Sequence, residues 1–346
     1  MGGSGIEFFQ WIVDTRRIWI VPQSLGAKEQ MKAFERVAAD ALAILPSQEK
    51  QSVLKYWFIR DAKMSLASHL LKHLVIHELG GVPWEQSTIS RDANKKPCFS
   101  PSNGMGNPLE FNVSHQAGLV PLVACAGHAV EVGIDVVCVN ERSDNATISK
   151  DGLFAWIDMH AEVFSRAEVQ YMKYDVESLT LPIEFDVEEK GRDAIARCQL
   201  REETVSWTTS SGAPRELDAN VIIDAKLRRF YAFWCLREAY IKMTGEALLA
   251  PWLGDLEFRK FKVPAANEKA ALDDSDLLLG ETTTEFHIYF QGKRVENVTM
   301  ELRALGRNYM IGTAARNKDG EAALRKFPGF VNLTLNDIVA RTGAVN

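Results

Sequence analysis

The stretch VEVGIDVVCV, residues 130–139, decides how the rest of the chain is read. Valine or isoleucine at alternate places marks an extended strand, whose successive side chains point to opposite faces. Val132, Ile134 and Val136 therefore share one face, and Gly133, Asp135 and Val137 share the other. That pattern takes Asp135 off the core face. A carboxylate inside so apolar a strand needs an ion pair or cap, a metal, or a place at the strand end. The strand alone leaves those three readings open.

Toward the N-terminus two more apolar runs, LEFNVSH (109–115) and GLVPLVACAG (118–127), are separated by turn-sized gaps. With 130–139 they predict an antiparallel meander. FFQWIVDTR (8–16) reads as an opening strand, helical spacing covers 29–45, and a single helical period runs through 49–77 until Gly80, Gly81 and Pro83 stop it. The C-terminal part repeats this order. Helices are expected over 166–173 and 226–244, and strands within 286–305 and 309–315, with QGKR (291–294) as a hairpin turn. The expected fold class is α+β: two similar halves, 1–140 and 141–346, each a small antiparallel sheet packed with helices. Arg60-Asp61-Ala62 and Arg237-Glu238-Ala239 form a faint internal echo. Residues 174–225 are polar with little periodicity and read as a long mobile insertion, with a smaller one at 267–285.

At 346 residues with a net charge of -6, the chain can bury a proper core, and the charge argues against general nucleic-acid or anionic-membrane binding. Five cysteines without a C-x-x-C pair favour neither a disulfide framework nor a zinc site. The opening MGGSGIEFF lacks the basic and long apolar regions of a secretory leader, and Ile6 stands where a myristoylation motif wants Ser or Thr. No run of about 18 apolar residues occurs, so a cytoplasmic protein is expected.

Several clusters carry possible chemistry. In FYAFWCLREAYIKMTGEALLAPW (230–252), Trp234, Glu238 and Lys242 recur at four-residue steps along one helix stripe. Glu238 and Lys242 are then either a solvated ion pair or one wall of a site. Arg91, Lys95, Lys96 and Pro97 in RDANKKPC form a surface loop or a phosphate-binding loop. His69, His73 and His77 share a helix face, where a zinc site is conceivable, but the run lacks an obvious carboxylate or cysteine partner. Ser114 and His115, adjacent on an extended segment, face opposite ways and do not make a hydrolytic pair. Neither a dinucleotide fingerprint, a P-loop nor a nucleophile elbow occurs.

RDANKKP, FNVSHQ, VGIDVV and FWCLREAYIK, in that order, resemble the Sfp-type 4'-phosphopantetheinyl transferases, whose signature runs G-K-P, F-N-x-S-H, G-I-D-[IV] and W-x-x-K-E-[SA]-[FY]-x-K. The details look most like the fungal, broad-specificity branch, and the resemblance covers about residues 11–316 apart from the insertions. It implies a 4'-phosphopantetheinyl transferase fold, a pseudo-twofold duplication with coenzyme A between the halves on the N-terminal side. It implies transfer of the 4'-phosphopantetheine arm from coenzyme A to a serine of an apo acyl or peptidyl carrier domain, with release of adenosine 3',5'-bisphosphate. Carriers of polyketide, fatty-acid and nonribosomal peptide synthases and of aminoadipate reductase are the implied partners of a monomeric enzyme. A non-catalytic binder of coenzyme A or carrier domains with the same fold is the alternative, and a Mg²⁺-dependent nucleotide hydrolase is a remoter one.

By the same resemblance Asp135 and Glu238 hold Mg²⁺, Glu238 takes the carrier serine's proton, and Lys242 stabilises the departing bisphosphate. Arg91, Lys96, Pro97, Ser114, His115 and Gln116 bind coenzyme A, with Arg91, Lys96 and His115 at its 3'-phosphate. The chain departs from the pattern at Val137, where many bacterial members have a third acid, at Met64, where several relatives carry a cofactor-binding arginine, and at NKKP. Gln116 is a candidate to complete the metal shell, and Lys50 and Lys55 to supply charge. Carrier docking is expected around DGLFAWIDMHAEVFSRAE (151–168), whose apolar residues alternatively serve the core; Ser165 and Glu168 read there as a capping box.

Overall fold

The structure, a computed structural model, describes residues 6–100, 108–127, 130–141, 144–181, 189–246, 250–318 and 326–342. Residues 1–5, the 182–188 part of the expected insertion and residues 247–249 of the last motif lie outside them. The chain opens with β1 (Phe8–Asp14), α1 (Ala27–Val37), α2 (Ala39–Ala43), α3 (Ser47–Leu54) and α4 (Ile59–Gly80). Short strands β2 (Ser90–Arg91) and β3 (Pro97–Cys98) precede β4 (Leu109–Val113), β5 (Leu119–Ala126) and β6 (Val130–Cys138). Then come α5 (Asp144–Asp151), α6 (Leu153–Asp158), α7 (Arg166–Tyr174), α8 (Glu189–Arg197), β7 (Thr204–Thr208), β8 (Pro214–Asp218) and α9 (Ala219–Thr244). The chain continues through β9 (Leu256–Arg259), β10 (Leu279–Thr283), β11 (His287–Phe290), β12 (Lys293–Arg294), β13 (Val298–Leu305), β14 (Tyr309–Asn317), β15 (Val331–Asn332) and α10 (Leu335–Arg341).

Two four-stranded sheets organise this α+β fold, with strand orders β15-β1-β5-β4 and β10-β13-β14-β6. Their inner faces meet through Phe8, Ile12, Leu119 and Val123 from the first sheet and Val132, Ile134, Val136, Tyr309 and Ile311 from the second. The outer face of the first sheet packs Trp11, Val13, Phe111 and Leu122 against α4 residues such as Leu70, Leu71 and Leu74. The outer face of the second packs Val137, Met300, Leu302 and Met310 against α9 residues such as Phe233, Leu236 and Ala239. The layers thus run helix, sheet, sheet, helix.

This arrangement corrects the expected meander. β4 and β5 pair antiparallel, but β6 leaves them and pairs with β14, placing Asp135 opposite Gly312. β6 can do so because both of its faces are apolar enough to be covered, one by the first sheet and one by α9. The C-terminal β15 returns to pair parallel with β1, so both sheets draw strands from each side of residue 140. The Arg60 and Arg237 echo lies in the first turn of α4 but in the C-terminal half of α9, so it does not mark equivalent positions.

Other local readings fare variously. Gln291 and Gly292 both have positive φ, 50° and 75°, as a two-residue hairpin turn requires, and β11 and β12 pair across them. The single helix read over 49–77 is interrupted between α3 and α4, where Tyr56, Trp57 and Phe58 are exposed. Within 174–225 the described residues form α8, the β7–β8 hairpin and the opening of α9. Ile195 and Ile222 there are buried in the core, although the polar composition predicts no such packing.

Asp135 leaves the inter-sheet core but does not face water: Gly133, Asp135 and Val137 look onto α9. The helix backbone rests on β6 where Gly133 has no side chain. A Cβ there would fall inside van der Waals contact of the Ala239 carbonyl oxygen and the Met243 nitrogen, and 2.8 Å from Met243 Cα. At Gly312 of β14 it would lie 3.1 Å from both the carbonyl oxygen and the Sγ of Cys235. Gly133→Ala should therefore destabilise the fold by about 1–3 kcal/mol or more, because backbone cannot step aside as a side chain does. Urea denaturation of the variant checks this; unchanged stability would mean that α9 is free to lift.

Candidate active site

Three motif residues from three elements meet over Gly133 and Gly312. Ser114, just past β4, donates its hydroxyl to Asp135 Oδ1 at 2.9 Å. Lys242, in the last turn of α9, donates to the same oxygen at 2.7 Å and to Ser114 Oγ at 2.9 Å. Ser114 and Asp135 are buried. Desolvation opposes the Lys242 ammonium, but Asp135 and Glu238 outweigh it and hold its pKa above the usual lysine value. Glu238 is half-buried, one turn earlier on α9 and within electrostatic reach of Lys242. Of the i, i+4 pair, Lys242 is thus tied to the buried Ser114 and Asp135, and both members are half-buried. His115 stands exposed beside it, and desolvation, then the Lys242 ammonium, lower its pKa.

The orientation of α9 is set from its other side. Arg237, fully buried, donates to Glu168 and to the Leu256 carbonyl, and its guanidinium lies 4.9 Å from the Phe164 ring centroid. Glu168 also accepts from the Ser165 and Phe258 backbone N–H groups, the first within the expected capping box that opens α7. Successive helix residues lie about 100° apart, so fixing Arg237 inward also fixes the direction of Glu238 and, one turn on, of Lys242.

Comparison with known proteins matches this sequence to one family. The family model described as "4'-phosphopantetheinyl transferase, N-terminal" matches residues 32–127. A 4'-phosphopantetheinyl transferase of Aureobasidium melanogenum is 40% identical over 340 residues, covering 95% of this chain and 96% of the relative. The chain belongs to the 4'-phosphopantetheinyl transferases. Its similarity extends to 4'-phosphopantetheinyl transferase 1 of Fusarium mangiferae, 36% identical over 96% of this chain and 94% of that one. It reaches an L-aminoadipate-semialdehyde dehydrogenase-phosphopantetheinyl transferase of Mus musculus, 22% identical over 95% and 90% of the two chains. The protein is an enzyme of this transferase class.

Elsewhere in the transferase the expected site residues have mixed placements. β6 is the edge strand of its sheet, and its unpaired groups are met by side chains from the first half: Asn112 Oδ1 accepts from Ile134 N at 3.1 Å, and Lys96 Nζ donates to the Val132 carbonyl at 3.0 Å. Lys96 also lies 3.9 Å from Glu110, and desolvation lowers its pKa. Its ammonium therefore serves the seam between the sheets. Asn112 was not singled out in the sequence, since an asparagine in a strand gives no local sign of capping a distant edge. Arg91 is exposed and donates to the Lys95 carbonyl, and its ladder partner is Pro97. The loop carrying them leans on the end of α9, where a Cβ on Gly245 would lie 3.2 Å from Asn94 Nδ2.

Gln116 leaves its Nε2 buried without a hydrogen-bonded partner. Val137 is buried in the core against α9, and Met64 is buried with its sulfur accepting the Gly118 N–H at 3.2 Å. Leu153, Trp156, Ile157 and Phe164 are likewise core residues, while Met159 of the same 151–168 stretch is exposed. His73 Nε2 and His69 Nδ1 each lie 2.9 Å from Glu49 Oε2, while His77 Nδ1 meets the Val82 carbonyl.

Two predictions follow from these placements. Lys96→Met leaves the buried Val132 carbonyl without its donor, and should lower the unfolding free energy by about 1–3 kcal/mol in urea titrations; no loss would return Lys96 to ligand binding alone. Burial alone would raise the Glu49 pKa, but His69 and His73 bring it down to about 2. A carboxylate with a depressed folded pKa adds stability that is present above its unfolded pKa, near 4.3, and lost as pH falls toward about 2. Thermal melts of Glu49→Gln should thus show a lower Tm at neutral pH and a flatter decline below about pH 4.5 than the parent protein.

Proposed function

We propose that this enzyme transfers the 4'-phosphopantetheine arm of coenzyme A to the serine hydroxyl of an apo acyl or peptidyl carrier domain, releasing adenosine 3',5'-bisphosphate. The observation that carries this reading is the convergence of Ser114, Asp135 and Lys242, with Glu238 one turn away on α9. The reaction breaks a pyrophosphate, so charge must be offset on several oxygens at once. We read the two sheet-and-helix layers as related halves, which would put a ligand at the β4–β6 seam in contact with both.

Asp135 and Glu238 offer hard oxygen donors, and the Lys242 ammonium resting on Asp135 Oδ1 marks a position that favours a cation. That donor set fits Mg²⁺, which uses one or two carboxylates together with substrate phosphates and keeps water for the rest of its shell. Among the described residues no group of three or more His, Cys, Asp or Glu side chains is placed to hold a metal, so phosphate oxygens would have to complete the shell. Bound there, the ion would neutralise charge on the pyrophosphate. Gln116 is a neutral candidate to line that shell through its Oε1, or the ligand through its unpartnered Nε2 donor.

Glu238 is the group to take the proton from the attacking carrier serine, since it is a half-buried carboxylate one turn from Lys242 on α9. Lys242, kept charged by its two carboxylate neighbours, would turn to the departing bisphosphate and stabilise the charge that develops there. Ser114 holds Asp135 and Lys242 in register. His115 and Arg91 are read as ligands of the cofactor's 3'-phosphate, with Pro97 shaping the loop that carries Arg91.

Acyl and peptidyl carriers of polyketide, fatty-acid and nonribosomal peptide synthases share the serine such an enzyme needs. The name of the mouse relative adds the aminoadipate pathway's carrier as a candidate substrate. A cytoplasmic monomer is the setting we infer, and no helix among the described residues is long and apolar enough to cross a membrane.

Mass spectrometry of an apo carrier incubated with coenzyme A, Mg²⁺ and enzyme tests the reading directly, because transfer adds the arm's mass to the carrier. Glu238→Gln keeps size and helix preference but removes the charge, and should slow transfer by roughly 10²–10⁴-fold with folding intact. Lys242→Met should also slow transfer, and the double variant should lose less than the product of the two single losses, since both residues act on the same phosphates. Near-parental rates from Glu238→Gln at saturating Mg²⁺ would overturn the assignment.

A further inference from the structure

Tyr309 opens β14 on the second sheet and is buried at 3% exposure, yet its hydroxyl bonds to the first layer, donating to the Ala117 carbonyl at 2.8 Å. In the ladder it stands between Leu305 and Cys138, and the Arg16 guanidinium lies 5.5 Å from its ring centroid. Ala117 and Gly118 are the central residues of the turn between β4 and β5. Gln116 and Leu119 exchange backbone bonds of 3.1 and 2.9 Å across them. Their φ angles are 50° and 89°, the left-handed pair that such a two-residue hairpin turn needs. Gly118 takes that conformation freely, but Ala117 does not, since the favoured residues in its place are Asn, Asp and Gly. From the first half, Thr15 N and Oγ1 both donate to the Gly118 carbonyl, at 2.8 and 2.7 Å, and the Gly118 N–H donates to Met64 Sδ.

The segment from Ser114 to Ala117 is therefore tied to the second sheet at both ends. Ser114 is bonded to Asp135 of β6, and Ala117 to Tyr309, whose ladder partner Cys138 lies three residues further along β6. The spacing between the ties is the same on both chains, so the segment runs in step with the strand. We infer that Tyr309 is a positioning residue for the transfer, holding His115 and Gln116 in place from the other layer; the inference rests on the reading of those two residues as coenzyme A ligands. His115 is exposed, and Gln116 Nε2 has no hydrogen-bonded partner among the described residues, so their placement comes from the backbone between the ties. Without the hydroxyl, the turn would keep its bonds to Thr15 and Met64 but lose its tie to β14, and the cofactor would have to order both residues as it binds. The tie at Ser114 would remain, and with it the places of Asp135 and Lys242.

Tyr309→Phe keeps the ring and removes the hydroxyl. In steady-state transfer to an apo carrier it should raise KM for coenzyme A by about 3- to 10-fold, the usual worth of one neutral hydrogen bond, with kcat within about twofold of the parent. Ala117→Asn supplies a residue that the turn favours, and added to Tyr309→Phe it should restore most of the lost affinity. A tyrosine that merely filled the core between the sheets would not be rescued from that position. Hydrogen exchange of the free enzyme gives a readout independent of turnover: the amides of Gln116, Gly118 and Leu119 should exchange faster in Tyr309→Phe, while those of the β1–β5 ladder keep their parental protection. Unchanged exchange at the turn, or faster exchange throughout the fold, would overturn the positioning role. An unaltered KM in a variant whose turn has loosened would overturn it as well, while leaving the transferase reading intact. A parent enzyme that transfers nothing from coenzyme A to an apo carrier would overturn the transferase reading, and this inference with it.

Discussion

The contact on which the rest of the structure depends is backbone on backbone: α9 lies against β6 and β14 where Gly133 and Gly312 have no side chains. Side chains at those places would hold the helix away from the sheet, and the 2.7 Å bond between Lys242 and Asp135 could not form with the helix in its present track. The glycines are required for close approach and not for an unusual turn, since neither is among the residues with positive φ. Asp135 and Gly312 face each other across the ladder, so room is left on the strand beside the carboxylate.

The second constraint is the free edge of β6. A buried edge strand must satisfy its outward N–H and C=O groups, and among the described residues no further strand of its sheet pairs with that edge. Asn112 and Lys96 supply a side-chain acceptor and donor at Ile134 N and the Val132 carbonyl. Together with Ser114 on Asp135 they place three bonds along one short length of seam, all from first-sheet residues or their flanking loops to one second-sheet strand. A polar site at such a seam is positioned by the same bonds that join the layers. Loss of a joining residue would thus affect stability and geometry together.

Much of this was legible in the sequence, and the limits have physical causes. Short-range signals carried well: the Gln291-Gly292 turn, the Ser165–Glu168 box and the stop at Gly81 depend on neighbours within a few residues. The motif residues Ser114, Asp135 and Lys242 were identified, although only the fold shows that they share one oxygen atom. Strand partnership was not legible, because alternation says which residues share a face and nothing about which strand lies alongside. The meander therefore failed at β6. The same limit hid the burial of Val137 under α9, the attachment of Lys96 to β6 and the role of Asn112.

The buried pair of Arg237 and Glu168 explains why a costly arrangement is kept beside the site. Two charges removed from water lose hydration that their attraction only partly replaces, so such a pair is a weak source of stability. Glu168 offsets this by accepting from two backbone N–H groups as well, which joins the start of α7 and the strand β9 to the same carboxylate. Arg237 lacks hydrogen-bonded partners at Nε and Nη1 and lies instead against the rings of Phe164 and Phe258. An apolar pair of equal volume could fill the space, but it would not resist rotation of α9 about its axis in the way that directional bonds do. Rotation is the motion that the neighbouring bonds cannot tolerate: a turn of a few tens of degrees would carry Lys242 away from Asp135 and shift Glu238 with it. The bonds on the buried side of α9 thus orient the charges on its opposite side.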